Sequence, residues 1–319
     1  MGVFRFKRFN VVNERSAMKV NTDGVLLGAA MTLRQEDRIL LDIGTGTGTI
    51  ALMAAQRLAD MSDAEGKRSI AAIDIDEASA AEAADNFRNS PWNGSLHAFN
   101  LSLEEFSVSH EAQKFDLIFS NPPYFDESSN APEERRNNAR HTSNGLSYRE
   151  ILDFASLRLS EEGRVSLVLP AETEDALCRH ARMDGLHMFR IVRIRTVPRK
   201  APARIIVEFS RNRCGSPEDI VLTIQNEGKY TQEYLSLTRD FYLFACSVLR
   251  CRLGPASMEL ADMLASEFFL TDDELRYLVY WQDFLVFRNK SVVDLSLFFL
   301  CCCVFFEQDF YLLDRLVCV

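Results

Sequence analysis

The chain has 319 residues, 47% of them hydrophobic and 26% charged, so it can bury one large domain, or a domain with an appendage. Its net charge of −10 argues against general electrostatic binding to nucleic acid, which would need positive charge concentrated locally. The sequence opens without a basic stretch followed by an apolar one, so no secretory signal is expected and the predicted location is the cytoplasm.

The eight cysteines fit the same compartment. Six of them lie after residue 244, none has C-x₂-C spacing, and no histidine lies near them at the spacing of zinc ligands. The sequence therefore predicts free thiols in a reducing environment and no metal site.

Residues 38–210 alternate strand-like and helix-like patterns. The predicted strands are Arg38–Ile43, Ser69–Asp74, Phe115–Ser120, Gly163–Leu169, His187–Val197 and Arg204–Phe209. The predicted helices are Thr49–Leu58, Glu77–Arg88, Tyr148–Leu159, Glu172–Met183 and Tyr230–Phe244. Strands separated by helices indicate an α/β fold with a mostly parallel sheet between two helical layers. The last two strands are joined by too short a link for a crossover, so they must be antiparallel.

The composition changes near residue 245. The stretch 245–319 is acidic and contains Leu297–Phe306, ten apolar residues in a row. That run is shorter than the roughly 20 residues of a membrane helix, so a buried helix is predicted and no membrane is expected. Four explanations of the run are left open by the sequence: packing on the first part of the chain, packing on a second copy, packing on a membrane surface, and an altered reading frame. We therefore predict two parts, a domain at 1–244 and a hydrophobic, acidic, helical extension of unknown role at 245–319.

A glycine-rich loop follows the first predicted strand of the sheet. It reads Asp42-Ile43-Gly44-Thr45-Gly46-Thr47-Gly48 and leads into a helix. Glycines let a backbone turn sharply and approach a ligand closely, and the following helix N-terminus offers unpaired N–H donors. No Lys-Ser or Lys-Thr follows, which disfavours an ATP-type phosphate loop.

The next predicted strand ends in acidic residues. Asp74 comes about 30 residues after the first glycine of the loop, where a carboxylate can accept hydrogen bonds from ribose hydroxyls. Asp76 lies further out and is expected to cap the following helix.

The most informative motif is Asn121-Pro122-Pro123-Tyr124, directly after the strand Phe115–Ser120. Prolines remove N–H donors and leave carbonyls as acceptors. The Asn121 side-chain oxygen and the Pro122 carbonyl can accept both N–H groups of an exocyclic amine, while the Tyr124 ring can stack on a base. Two such acceptors help the nitrogen become tetrahedral as it attacks a methyl group, so no general base is essential.

Together, the glycine loop, the acidic strand end and the Asn-Pro-Pro-Tyr motif resemble a class I methyltransferase that acts on an amino nitrogen. Four further stretches resemble the bacterial tRNA adenine-N6 methyltransferases that modify a valine tRNA. They are Phe4–Phe9, Met18–Gly28, Ala139–His141 and Pro202–Phe209. The resemblance runs from about Phe4 to about Phe244, and it implies a Rossmann-like, mostly parallel seven-stranded sheet with one antiparallel strand.

The resemblance also implies roles for single residues. Lys19–Gly24 is expected to fold over S-adenosyl-L-methionine beside the glycine loop, with Thr22 and Asp23 near its amino-acid end. Lys19, Asp42 and the loop glycines Gly44, Gly46 and Gly48 are also expected to bind the cofactor. Asn100 or Leu101 is expected near its adenine ring. Asn121 is expected to contact both the cofactor and the base. The implied substrate is an adenine in tRNA, methylated at its exocyclic N6. The resemblance points to the purine directly 3′ of the anticodon in a valine tRNA.

Basic residues gather in three places despite the acidic total. The largest group falls within 24 residues and is opposed only by Glu208. Its members are Arg190, Arg193, Arg195, Arg199, Lys200, Arg204, Arg211 and Arg213. The smaller groups are Arg5, Lys7 and Arg8 near the start, and Arg135, Arg136 and Arg140 after the Asn-Pro-Pro-Tyr motif. We expect these residues to hold RNA phosphates, the alternative being an ordinary solvated surface.

Three other functions share parts of this pattern. Methylation of a glutamine amide in a protein is disfavoured, because only 41 residues precede Asp42 and that family usually carries a helical domain there. Methylation of guanine N2 in rRNA uses the same motif. RNA binding without turnover is disfavoured by the intact Asn121 and Tyr124. Which tRNA is used and the oligomeric state are not encoded in any recognisable motif.

Overall fold

An eight-stranded sheet forms the centre of the part of the chain that this computed structural model describes, residues 2–61, 67–123 and 146–243. The predictions for Tyr124, for the arginines between residues 135 and 140, and for the extension 245–319 lie outside the described residues. None of the described helices is both long enough and apolar enough to cross a bilayer.

The strands and helices alternate through most of the chain. The strands are β1 Val3–Arg5, β2 Asn10–Val12, β3 Ile39–Ile43, β4 Ser69–Asp74, β5 Leu96–Asn100, β6 Phe115–Ser120, β7 Leu159–Pro170, β8 His187–Arg195, β9 Arg204–Ser210, β10 Glu218–Thr223, β11 Gln225–Asn226 and β12 Lys229–Tyr230. The helices are α1 Thr22–Ala30, α2 Thr49–Asp60, α3 Glu77–Arg88, α4 Leu103–Ser109, α5 Tyr148–Arg158, α6 Glu174–Met183 and α7 Gln232–Thr238, with a 3₁₀ turn at Ala171–Thr173.

The strand order of the large sheet is β10-β8-β9-β7-β6-β3-β4-β5. Only β9 runs against its neighbours β7 and β8, as the short link before it required. The chain passes from β3 outward to β4 and β5, then returns to β6 on the other side of β3. Ligands of doubly wound sheets bind at such a reversal of strand order, outside the carboxyl ends of the strands.

The α/β class and the antiparallel strand are confirmed, but the sheet has one strand more than the seven expected. The extra strand, β10, pairs in parallel with β8 at the edge of the sheet. Its sequence, EDIVLT, begins with two acids and does not show the apolar run of a central strand. Edge strands are solvated on one side and need no such run, so composition alone did not reveal it.

The predicted helix Tyr230–Phe244 is wrong at both ends. Tyr230 belongs to a hairpin with β11, which turns at Glu227 and Gly228, both with positive φ. The helix α7 begins only at Gln232, and Tyr242 forms a bridge with Phe6 near the start of the chain. These long-range pairings override a helical spacing of apolar residues.

The core lies between the central strands and the helices that cover them. The strands β3, β4 and β6 are apolar along nearly their whole length, because helices pack on both faces of a parallel sheet. The helix α5 starts with a capping box at Ser147 and buries Ile151, Leu152 and Ala155. This packing holds the carboxyl ends of the strands as a fixed edge.

Candidate functional site

Four strands end at the same level and bring the predicted site residues to one edge. In the register of the sheet, Ile43 of β3 pairs with Ile73 of β4 and with Ser120 of β6. Asp74 pairs with Asn100 at the end of β5. The glycine loop, the acidic strand end and the Asn-Pro-Pro motif therefore meet at the reversal of strand order, which the linear sequence could not show.

The glycine loop turns tightly over the end of β4. The N–H groups of Gly44 and Thr45 both donate to the Ile73 carbonyl, at 2.9 and 3.0 Å. Gly44 has φ +71°, and among the described residues a Cβ built there would find only the Leu146 side chain, 3.7 Å away, within 4 Å. The described residues therefore leave space for a ligand beside Gly44.

Gly48 is needed for a different reason. It has φ +80° and begins α2, and a Cβ there would lie 2.5 Å from the Phe87 ring. Only glycine allows α2 and α3 to approach this closely. The structure thus gives Gly48 a role in helix packing. The cofactor contact predicted for Gly48 stays a prediction.

Asp74 is bound to the loop that it faces. Its Oδ2 accepts a hydrogen bond from Gly46 N at 2.8 Å, and its Oδ1 accepts from Asp76 N at 2.9 Å. A carboxylate has about four lone-pair sites, so both oxygens keep acceptor capacity. Burial raises the pKa of Asp74. Asp76 caps α3 through Ser79 N, as the sequence indicated.

Asp42 is the most unusual polar group of the site. Its side chain is completely buried, and its Oδ2 accepts from the Thr45 hydroxyl at 2.7 Å. Its Oδ1 is buried and receives no hydrogen bond of ordinary geometry from the described residues. Burial raises the pKa of Asp42 to about 7, the Asp74 charge adds to the rise, and hydrogen bonds from Thr45 and Ala51 oppose it.

The residues predicted near the amino-acid end of the cofactor lie before and at the start of α1. Lys19 is exposed, and its Nζ donates to the Glu14 carbonyl at 2.7 Å. Thr22 is the exposed first residue of α1. The Asp23 carboxylate forms an ion pair with Arg204 at 2.9 Å, which ties α1 to the start of β9.

Asn121 follows β6 directly and is nearly buried, with 9% of its surface exposed, and Pro122 is buried beside it. Its Nδ2 lies 3.4 Å from Oδ1 of Asn21, the residue that caps α1 by accepting from Gly24 N. Asn21 lies in the stretch Lys19–Gly24 that was expected to fold over the cofactor, but it was not predicted as a site residue. An Asn immediately before Thr-Asp-Gly is nevertheless a helix-cap signal that could have been used.

Asn100 is exposed at the end of β5, on the far side of Asp74 from the loop. Its Nδ2 donates to the carbonyls of Asp74 and Ile75, at 3.1 and 3.0 Å. These bonds fix the backbone where β4 ends, and the side-chain oxygen of Asn100 is not used by either of them.

Most arginines of the large basic group are engaged within the fold, contrary to the expectation that they hold RNA. Arg190 pairs with Glu208 and Glu218, and Arg193 pairs with Glu174 and Asp219. Three others are also held: Arg195 by Thr223, Arg204 by Asp23, and Arg211 by carbonyls of residues 156, 159 and 160. The partners Glu218, Asp219 and Thr223 come from β10, the strand that the sequence did not reveal.

The remaining members of that group lie at opposite edges of the sheet. Arg199 and Lys200 are exposed in the loop between β8 and β9, at the same edge as Asn121. Their side chains form no ion pair with the described residues. Arg213 is also exposed, but it follows β9 and so lies at the other edge.

These features fit a bound S-adenosyl-L-methionine. The described residues leave space beside Gly44 for the part of a ligand that faces the backbone. The Asp74 carboxylate can accept hydrogen bonds from ribose hydroxyls. The buried Oδ1 of Asp42, which receives no hydrogen bond of ordinary geometry from the described residues, favours a cationic group. The sheet topology and this edge define the chain as a class I methyltransferase that uses S-adenosyl-L-methionine as its methyl donor.

Comparison with known proteins agrees with this class. Residues 16–174 match the family model of the methyltransferase small domain. The crystal structure of a predicted O-methyltransferase from Agrobacterium tumefaciens shares the fold, with a TM-score of 0.50 and 17% identity over 69% of this chain and 96% of that one.

Full-length relatives define the family. A protein named tRNA1(Val) (adenine(37)-N6)-methyltransferase from Flavobacterium psychrophilum is 38% identical to this chain, over 76% of this chain and 99% of the relative. The protein of the same name from Bacteroides fragilis is 40% identical, over 75% of this chain and 97% of the relative. The relative from Photobacterium profundum is 38% identical over 75% of this chain and 98% of its own length. The chain belongs to the tRNA1(Val) (adenine(37)-N6)-methyltransferase family.

Proposed function

We propose that this enzyme methylates the exocyclic N6 of the adenine at position 37, directly 3′ of the anticodon, in a valine tRNA. The observation that carries the proposal is the meeting of Asn121-Pro122 with the glycine loop and Asp74 at one sheet edge. The family of the relatives supports the choice of base and tRNA. The reaction is placed in the cytoplasm, in keeping with the free thiols of Cys178 and Cys214.

The base is held by acceptors at the end of β6. The Asn121 Oδ1 and the Pro122 carbonyl accept the two N6–H groups, and the Tyr124 ring stacks on the adenine. These acceptors favour a tetrahedral nitrogen, whose lone pair is no longer conjugated with the ring and points at the methyl group. S-adenosyl-L-methionine supplies an electrophilic methyl carbon, so a C–N bond forms as the C–S bond breaks. The nitrogen then loses one proton to solvent.

The cofactor is held by residues of three neighbouring strands and of the segment before α1. Asp74 accepts the ribose hydroxyls, Gly44 and Gly46 approach the amino-acid half, and Asp42 lies beneath them. Lys19, Thr22 and Asp23 close this half from the other side, and Asn100 lies toward the adenine ring. The backbone at Gly48 completes the loop.

The tRNA backbone is contacted by the loop between β8 and β9. Arg199 and Lys200 are exposed at the catalytic edge, and each can bind a phosphate without first breaking an ion pair within the described residues. Lys19 adds a third positive charge on the same edge, because within the described residues its Nζ binds the neutral Glu14 carbonyl and forms no ion pair. A few local charges suffice in a chain whose net charge is −10.

The proposal is tested by incubating the purified enzyme with methyl-labelled cofactor and total tRNA. We expect N6-methyladenosine in the nucleoside digest, and we expect it to map to position 37 of a valine tRNA by mass analysis of RNase fragments. Label in a glutamine of a protein, or in guanine N2 of rRNA, with none in tRNA, would assign the enzyme to another substrate.

The RNA contact is tested with two proteins whose net charge changes by the same amount. Arg199→Gln combined with Lys200→Gln removes two positive charges and should weaken tRNA binding about tenfold and reduce the slope of log affinity against log salt by about 1.5. Arg213→Glu reverses one exposed charge at the opposite edge and should leave both quantities nearly unchanged. Equal losses in the two proteins would show that only net charge matters.

A further inference from the structure

Three polar side chains lie on the buried face of α3 and point toward the start of the chain. Ser79, Glu82 and Asn86 are 3%, 0% and 2% exposed, although the helix is otherwise rich in alanine. Residues three or four positions apart share a helix face, so the three form one stripe. Burying a carboxylate or an amide costs free energy unless the group is hydrogen-bonded, so these three side chains need hydrogen-bond partners.

Glu82 binds a run of backbone N–H groups in the N-terminal segment (residues 12–18). Its carboxylate accepts from Glu14 N at 3.0 and 3.1 Å, from Arg15 N at 2.5 Å and from Ser16 N at 3.4 Å. Arg15 Nε lies 3.7 Å from the same carboxylate. Hydrogen bonds to an ionised acceptor are stronger than neutral ones, so Glu82 fixes the path of these three residues.

Asn86 binds the same stretch of chain to the glycine loop. Its Oδ1 accepts from Val12 N at 2.8 Å, and its Nδ2 donates to the Val12 carbonyl at 3.0 Å. The same Nδ2 also donates to the Thr47 carbonyl inside the loop, at 2.9 Å. One buried amide thus links β2, the N-terminal segment that follows it, and the loop.

The N-terminal segment consequently lies directly against the glycine loop. The Cβ position of Gly46 is 3.5 Å from Met18 and 3.6 Å from the Ser16 hydroxyl. Beyond Met18 the chain continues to Lys19 and then to Asn21, whose side chain lies 3.4 Å from Nδ2 of Asn121. The segment therefore reaches from α3 to the catalytic edge, and its position is set by contacts at its first half.

We propose, on the basis of the cofactor contacts proposed above for Lys19, Thr22 and Asp23, that Glu82 and Asn86 are positioning residues for S-adenosyl-L-methionine. They hold the N-terminal segment against the glycine loop, so that Lys19, Thr22 and Asp23, which come later in the chain, face the cofactor. Neither side chain touches the base or its acceptors. Their loss should therefore weaken cofactor binding and leave the chemical step and tRNA binding intact.

The test compares two substitutions on α3 of the full-length enzyme. Glu82→Gln keeps the shape but turns an NH₂ group toward N–H donors, and we expect the dissociation constant of S-adenosyl-L-methionine to rise about tenfold by calorimetry. Asp85→Asn is the matched control, because among the described residues the Asp85 carboxylate binds the exposed Arg15 and Arg88 side chains alone. It should bind cofactor within about twofold of the native enzyme.

Kinetics separate positioning from general destabilisation. For Glu82→Gln we expect the KM for cofactor to rise with the dissociation constant, while kcat at saturating cofactor and the KM for tRNA stay within about threefold. A variant that binds cofactor as well as Asp85→Asn does, or one that loses kcat alone, would overturn the proposal. Failure of the native enzyme to methylate tRNA would instead contradict the proposed function, since the binding assay contains no RNA.

Amide hydrogen exchange of the native enzyme provides a second measurement that does not depend on the folding of a variant. The N–H groups of Glu14, Arg15 and Ser16 should be protected in the free protein and become more protected when S-adenosyl-L-methionine is added. Exchange at the rate of an open loop, or protection that cofactor does not change, would show that the segment is not held for cofactor binding.

Discussion

Replacement of Asp42 by asparagine should stabilise the free protein and at the same time weaken its hold on the cofactor. The Asp42 carboxylate is fully buried, its Oδ1 receives no hydrogen bond of ordinary geometry from the described part of the chain, and the pKa of Asp42 is raised to about 7. In the unfolded chain the same carboxyl titrates near 3.8. Between these values the folded protein keeps a proton that the unfolded chain releases, so stability falls as pH rises through this window.

The magnitude follows from the difference between the two pKa values. Each pKa unit is worth about 1.4 kcal/mol, so ionisation of Asp42 above pH 7 costs about 4 kcal/mol of folding free energy. An asparagine can still accept the hydrogen bond from Thr45, but leaves an unsatisfied NH₂ group that costs about 1–3 kcal/mol. Asp42→Asn should therefore be about 1–3 kcal/mol more stable than the native protein at pH 8, and no more stable below about pH 4.

The assay is urea unfolding of the two full-length proteins, free of cofactor, followed by circular dichroism at pH values between 4 and 8. The difference in unfolding free energy isolates Asp42, since all other groups are shared. Asp85→Asn is a control for which the change of stability with pH should have the opposite sign, because hydrogen bonds from Arg15 and Arg88 lower the pKa of Asp85. A difference between Asp42→Asn and the native protein that does not change with pH would refute the reasoning.

The same titration should appear in cofactor binding. A cationic ligand favours the ionised form of Asp42, so below pH 7 binding must release the proton, and native affinity should rise with pH by up to about tenfold per unit. In Asp42→Asn the affinity should be lower, and this part of its pH dependence should be absent. Calorimetry in two buffers of different ionisation enthalpy would detect the released proton.

Three further predictions concern the site and the chain boundary. Asp74→Ala should weaken binding of S-adenosyl-L-methionine by about 1–3 kcal/mol in a titration, and unchanged affinity would remove Asp74 from the ribose site. Asn121→Ala should lose turnover while cofactor binding stays nearly intact, and a normal rate for this variant would make the motif structural. Tyr124→Phe should keep much of the activity that Tyr124→Ala loses. A chain that ends at Phe244 should be soluble, bind cofactor and methylate tRNA, since the relatives match about 240 residues of this chain. If this shortened protein folds but is inactive, the domain boundary at residue 244 is wrong.

The sequence alone determined the elements whose signals are local. The strands Ser69–Asp74 and Phe115–Ser120 and the helix Glu77–Arg88 were predicted with the bounds that the structure gives them. Each is a buried apolar run or an alanine-rich stretch bounded by a polar cap, so neighbours in sequence suffice to specify it. The glycine loop and the Asn-Pro-Pro-Tyr motif were recognisable for the same reason, because their chemistry lies in consecutive residues.

Only the tertiary structure decided which charges are available and which polar groups are constrained. The arginines on β8 resemble an RNA-binding face in sequence, but the acids that neutralise Arg190 and Arg193 lie elsewhere in the chain, several of them on the edge strand β10. The unsatisfied oxygen of Asp42 depends on complete burial, and the role of Glu82 depends on residues 14–16 crossing α3. Electrostatic free energy is set by distance and by exclusion of water, and both are properties of the fold and not of the order of residues.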